Sequence, residues 1–138
     1  AKFHPGGTLG KKLYLRVSDL ILQNPKPYVQ PTTPVKQVIM EITRNRLGAA
    51  AVLDEAGKIT GIVTDGDLRR MLERSESMDV LTAKDIMSSA PKSITSDALA
   101  VEALELMRSK NISQLLVTDH EQYAGIIHLH DLIREGII

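Results

Sequence analysis

Two kinds of apolar pattern alternate along this chain. Residues 17–22 read as a short apolar helix ended by Asn24-Pro25-Lys26-Pro27, after which Tyr28-Val29 has room for only a brief strand. Thr32-Thr33-Pro34 predicts a helix start, a hydroxyl cap with proline in the first turn, and Val35, Val38, Ile39 and Ile42 recur at helical spacing as far as Leu47-Gly48. Residues 49–53 read as a buried strand and Asp54-Glu55-Ala56-Gly57-Lys58 as a hairpin turn. Residues 59–64 form the returning strand. Gly66 then breaks the strand pattern, a helix follows from Asp67 to about residue 76, and residues 75–79 form a polar connector.

The second half repeats this order. A short helix is expected over 83–87, a brief strand over 91–95, and a helix capped by Ser96-Asp97 that bears Leu99, Val101, Ala103, Leu104 and Met107. Residues 115–118 and 124–128 read as strands around an Asp119-His120-Glu121-Gln122 turn, and 131–136 as the last helix. The repetition extends to residues. Gly61-Ile62-Val63-Thr64-Asp65-Gly66-Asp67 returns 64 positions later as Gly125-Ile126-Ile127-His128-Leu129-His130-Asp131. Ser18-Asp19-Leu20-Ile21 answers Lys84-Asp85-Ile86-Met87, and Ala51-Val52-Leu53-Asp54 answers Leu116-Val117-Thr118-Asp119. The chain is therefore two copies of one βαββα unit with a leading short helix, neither able to bury a core easily alone. The expected fold is α+β, an α/β sandwich in which the copies meet face to face about a pseudo-two-fold axis.

Composition narrows the function classes. Lys plus Arg number 17 against 17 Asp plus Glu, which gives no reason to expect nucleic acid or a membrane surface as partner. No apolar run approaches the roughly 20 residues of a membrane span, and the opening has no secretory pattern. Cysteine is absent, which excludes disulfides and thiolate metal sites and suits a cytoplasmic protein. With one Phe and no Trp, the core must be aliphatic, filled out by Met40, Met71, Met87 and Met107.

The candidate chemistry lies where the third strand of each copy passes into a helix. Thr64 at the strand end and Asp67 in the first helical turn project into one corner, beside unpaired helical N–H groups that attract a phosphate. The carboxylate has two readings: it accepts from a pair of ligand hydroxyls, or it caps the helix. Arg69 and Arg70 follow, either reaching an anionic ligand or remaining solvated. His128-Leu129-His130-Asp131 could be read as a metal site, but only His120 lies near in sequence, so no metal is expected. Lys11-Lys12 and Arg44-Asn45-Arg46 read as solvated charge.

The order of elements, the duplication, and Gly-aliphatic-aliphatic-Thr-x-x-Asp after the third strand resemble a pair of cystathionine-β-synthase (CBS) domains, a Bateman module, over roughly residues 16–138. A narrower resemblance lies at the front. Phe3-His4-Pro5-Gly6-Gly7-Thr8-Leu9-Gly10-Lys11-Lys12-Leu13, running into Leu15-Arg16-Val17-Ser18-Asp19, is similar to the junction in arabinose-5-phosphate isomerases, where a sugar-isomerase (SIS) domain passes into a CBS pair. Thr64-Asp65-Gly66-Asp67-Leu68-Arg69-Arg70 and His128-Leu129-His130-Asp131-Leu132 resemble that subfamily's two motifs. The expected organisation is a tail at 1–15 left from an upstream SIS domain, a first repeat at 16–80 and a second at 81–138.

The resemblance implies that Asp67 and Asp131 hold ribose hydroxyls and that Thr64 faces phosphate, with Gly66 and Arg69 beside them and His130 in the second corner. His128 stands where a second Thr is expected, so the two sites should be unequal, and the altered one pH-sensitive because free His titrates near 6.5. Tyr28-Val29 and Ile94-Thr95 sit where the family contacts the base. His4 matches a histidine implicated in the isomerase active site, but the other acid–base groups that sugar isomerisation needs are not in this sequence. No catalytic residue is expected here, and His4 is read as a solvated remnant. The function implied is ligand sensing with no required cofactor. An adenine nucleotide (AMP or ATP) or a CMP-linked sugar acid would bind between the repeats and bias an isomerase domain in cis. The alternative is a structural role in which the pair forms a homodimer and helps hold a tetrameric parent enzyme.

Overall fold

The computed structural model describes residues 12–74 and 77–138. His4 and most of the 1–15 tail lie outside the described residues, as do positions 75 and 76 of the expected connector. The elements run α1 (Val17–Leu20), β1 (Tyr28–Val29), α2 (Val35–Asn45), β2 (Ala49–Leu53), β3 (Ile59–Thr64), α3 (Asp65–Glu73), α4 (Ala83–Ile86), β4 (Ser93–Thr95), α5 (Ala100–Lys110), β5 (Gln114–Asp119), β6 (Gln122–His128) and α6 (Leu129–Arg134). They form two three-stranded sheets, ordered β1-β2-β3 and β4-β5-β6, each with one parallel and one antiparallel pairing. The architecture is mixed α+β with an internal duplication. Among the described residues no helix is long and apolar enough to cross a membrane.

The period-2 alternation of a strand explains why the central strands are continuously apolar. Ala50, Val52 and Val63 face α2 in one core, whereas Ala49, Ala51 and Ile62 turn the other way. In the second sheet Leu115, Val117 and Ile127 line the other core while Leu116 and Ile126 turn inward. The two inner faces meet in a shared layer of Ala49, Ala51, Ile62, Leu116 and Ile126. Both sides of each central strand are thus dry.

Each core also borrows a helix from the other repeat. Val17 and Leu20 of α1 pack with Ala100, Ala103, Leu104 and Met107 of α5, and Ala83 and Ile86 of α4 pack with Val35, Val38 and Ile42 of α2. This exchange changes how the long helices begin. The first N–H of α2, at Val35, donates to the Leu81 carbonyl, and that of α5, at Ala100, donates to the Leu15 carbonyl. The hydroxyl caps expected at Thr32-Thr33 and Ser96-Asp97 are absent; Pro34 and Leu99 occupy the cap positions. Thr33 Oγ1 accepts instead from the Gln30 N–H at 2.9 Å.

Other boundaries move for local reasons. α2 stops at Asn45 because Arg46 takes the left-handed conformation, φ 61°, ahead of Gly48. α3 starts two residues before the expected position, so Gly66 lies within its first turn. The hairpin at Asp54 forms as expected, its carboxylate accepting the Ala56 and Lys58 N–H groups, with Gly57 at φ 82°. Met71 and Met107 fill the two cores, but Met40 is 63% exposed on the outer face of α2 and fills none.

Candidate functional site

Both strand-to-helix corners are closed by reciprocal capping boxes. Thr64, extended at the end of β3, caps α3. Its Oγ1 accepts the Asp67 N–H at 3.2 Å, while its N–H donates to Asp67 Oδ2 at 2.9 Å. The Thr64 hydroxyl donates to the same oxygen at 3.1 Å, Arg70 donates to Asp67 Oδ1 at 2.7 Å, and Ser88 Oγ donates to Oδ1 at 3.0 Å. In the second corner the His128 N–H donates to Asp131 Oδ2 at 2.8 Å, Arg134 to Oδ1 at 2.6 Å and the Asn24 amide to Oδ2 at 3.1 Å. Imidazole replaces the hydroxyl here: His128 Nδ1 accepts the His130 N–H at 2.9 Å.

Asp67 and Asp131, only 5% and 2% exposed, are the buried polar residues among those described. Of the two readings of these carboxylates, the geometry displays the cap: their oxygens are engaged within the protein. Burial without such partners would be costly, and the guanidinium, hydroxyl and amide donors offset that cost.

Between the repeats lies a cleft of about 710 Å³, within the range of small-molecule sites. Thr64, Gly66 and Arg69 line it from the first corner, and His128 and His130 from the second. With Arg70, which also lines it, six of the residues singled out in the sequence meet in one cavity. Tyr28 and Val29 do not join them. They line a separate groove of about 450 Å³ with Gln37, Met40 and Glu41 of α2. Ile94 and Thr95 line neither. Along these brief strands the side chains alternate: Val29 belongs to the first core, Ile94 packs against the second, and Tyr28 and Thr95 are exposed.

The cleft also recruits residues the sequence reading did not single out as site residues: Ser88, Lys92 and the loop Asn111, Ile112, Ser113 and Gln114. One signal was available. Displacing the chain by the repeat of 64 residues pairs Ser88 with Asn24, which serve Asp67 and Asp131 respectively.

The cleft is cationic. Arg70 is committed to Asp67, but among the described residues Arg69 and Lys92 make no ion pair. Asp65 is the one carboxylate on the wall. Partial burial pushes the His128 imidazole below its ordinary value, helped by His130, while Asp131 and Asp65 pull it the other way. The result is a ring that is neutral near pH 7. Among the described residues no group of three or more His, Cys, Asp or Glu is arranged to hold a metal ion. The arrangement suits a polar, anionic small molecule: guanidinium and ammonium groups line the cleft together with hydroxyl and amide side chains.

Comparison with known proteins agrees with the duplicated fold. The family model for the CBS domain matches twice, over residues 17–74 and 83–137. The chain is 43% identical over 136 residues to arabinose 5-phosphate isomerase KdsD of Salmonella typhi and 39% identical to KdsD of Escherichia coli K12, covering 98% of this chain each time. It spans 42% of the length of those relatives. Among solved structures, a CBS domain protein from Pyrobaculum aerophilum complexed with AMP superposes with a TM-score of 0.81 at 25% identity, covering 90% of this chain and 95% of that one.

Proposed function

The chain belongs to the CBS-domain family, as a tandem pair, and from that premise we propose that it is a ligand-sensing module. A nucleotide or nucleotide-sugar, either an adenine nucleotide or a CMP-linked sugar acid, binds the cleft between the repeats. Its occupancy biases an arabinose 5-phosphate isomerase domain carried on the same, longer polypeptide in the cytoplasm. The observation that carries this reading is the cleft itself, in which Thr64, Gly66 and Arg69 face His128 and His130 across about 710 Å³. The AMP complex of the Pyrobaculum relative supports the ligand class, and the KdsD relatives support the attached activity. Because the two corners share one cavity and differ in cap chemistry, one ligand per chain is the expected stoichiometry. Thr64, Gly66, Arg69, His128 and His130 are its expected contacts.

A second reading has an observation of its own. Leu72 on α3 and Ile133 on α6 are 62% and 52% exposed, and apolar side chains on the closing helices of both repeats suit a homodimer that steadies a larger assembly. The two readings are compatible.

Thermal unfolding against AMP, ATP, CMP and the CMP-linked sugar acid separates them. A ligand at about 100 times its dissociation constant adds roughly 2.7 kcal/mol, which moves the midpoint by several degrees. A shift with one ligand class supports sensing and identifies the class. No shift with any of the four removes the sensing reading and leaves oligomerisation.

A further inference from the structure

The second corner closes its helix with a hydrogen bond between two of its own histidines. A helix start leaves N–H groups unpaired, and in α6 the one at His130 is closed by a ring nitrogen at 2.9 Å. A nitrogen can accept there only while it carries a lone pair, so the cap fixes His128 as the neutral tautomer with its proton on Nε2. The His130 ring sits against it, centroids 4.3 Å apart, and the Asp131 carboxylate closes the reciprocal half of the box at 2.8 Å. We propose that His128 is a proton-operated cap: with Nδ1 bare it closes the first turn of α6 on one wall of the cleft, and with Nδ1 protonated that turn opens.

The step is a single proton transfer from solvent to Nδ1. Imidazole becomes imidazolium, the lone pair that held the His130 N–H is consumed, and two N–H groups then face each other. No rotation of the ring restores the bond, because the flipped ring presents a carbon. The charges around the ring set where this happens. Burial and His130 favour the bare ring, Asp131 below it and Asp65 on α3 favour the cation, and Arg69, Arg70 and Lys92 on the same cleft add positive potential. The first corner is the built-in control: its cap is the Thr64 hydroxyl, which does not titrate in this range. The cap closes within the chain itself, whatever occupies the cleft.

The test is nitrogen-15 NMR of the chain between pH 8 and pH 5. The ring nitrogens of His128 should report the Nε2–H tautomer at pH 8 and an apparent pKa below about 6.5. The protection factor of the His130 amide should fall about tenfold as the ring protonates, the size expected for a lost cap, while that of the Asp67 amide stays level. His128→Thr should abolish the step at residue 130 while keeping protection there; if that variant fails to fold, His128→Asn serves, since Asn also caps. An Nδ1–H tautomer at pH 8, a His130 amide indifferent to the protonation of His128, or a step that survives in the capped variant would each overturn the proposal.

Discussion

The two corners are copies of one device made with different acceptors. Each has a buried aspartate, an arginine one turn along the helix, a donor from a distant segment and a reciprocal cap. At Thr64 the cap is a hydroxyl, which donates and accepts at once, so Asp67 receives four hydrogen bonds. At His128 the cap is a ring nitrogen that only accepts, and Asp131 receives three. The helix behind the hydroxyl runs nine residues and the helix behind the imidazole six. The two copies share the carboxylate scaffold and differ in the cap. One wall of the cleft is therefore indifferent to pH and the other responds to it.

The largest expected effect comes from the carboxylates. Asp67→Ala should lower stability by about 3 kcal/mol and Asp131→Ala by about 2, because each strips a cap and orphans buried donors. A melting curve would show this as a loss of about 10 °C for the first variant. Equal losses, or a greater one at Asp131, would break the comparison.

The caps come next. Thr64→Ala should cost about 1 kcal/mol at any pH between 5 and 8, whereas His128→Ala should cost that much at pH 8 and close to nothing at pH 5, where the imidazolium no longer accepts. The sign follows from linkage. The folded-state pKa of His128 lies below its unfolded value, so the unfolded chain binds more protons on acidification. The stabilisation is complete above about pH 6.5 and is lost as pH falls through the folded-state value. Denaturant midpoints across that window should decline in the wild type and decline less in His128→Thr.

The smallest effect belongs to the arginines. Their side chains are 62% and 60% exposed, so Arg70→Ala and Arg134→Ala should each cost less than about 1 kcal/mol, and less again in high salt. A larger loss at either would mean that the arginine, not the cap, holds its corner.

Much of this was written locally. Residues 49–53 and 59–64 are strands because apolar and β-branched side chains run from Gly48 to the Asp54–Gly57 turn and again from that turn to Thr64, and the duplicated Gly61 and Gly125 stretches announced the pairing of repeats. What was not legible depends on partners far along the chain. Pro34 and Leu99 needed no side-chain cap because Leu81 and Leu15, from the other repeat's leading segment, supply the carbonyls. Met40 has helical spacing but no layer to pack under, since α2 is covered on one side only. The corner residues Thr64, Gly66, Arg69, His128 and His130 were visible in the motifs. Lys92 was not, because it carries no motif, and Ser88 was marked only by its repeat partner Asn24; both reach the cleft once α4 has crossed into the first core.

The central claim is that both repeats build one ligand site. It is tested most directly by mapping backbone amide shifts during titration with AMP, ATP and the CMP-linked sugar acid. The account predicts that at least one of them perturbs Thr64, Gly66 and Arg69 together with Lys92, Gln114 and His130, saturating at one ligand per chain. Perturbation confined to one repeat, or to the groove around Tyr28 and Met40, would contradict it, as would spectra that none of the three ligands changes.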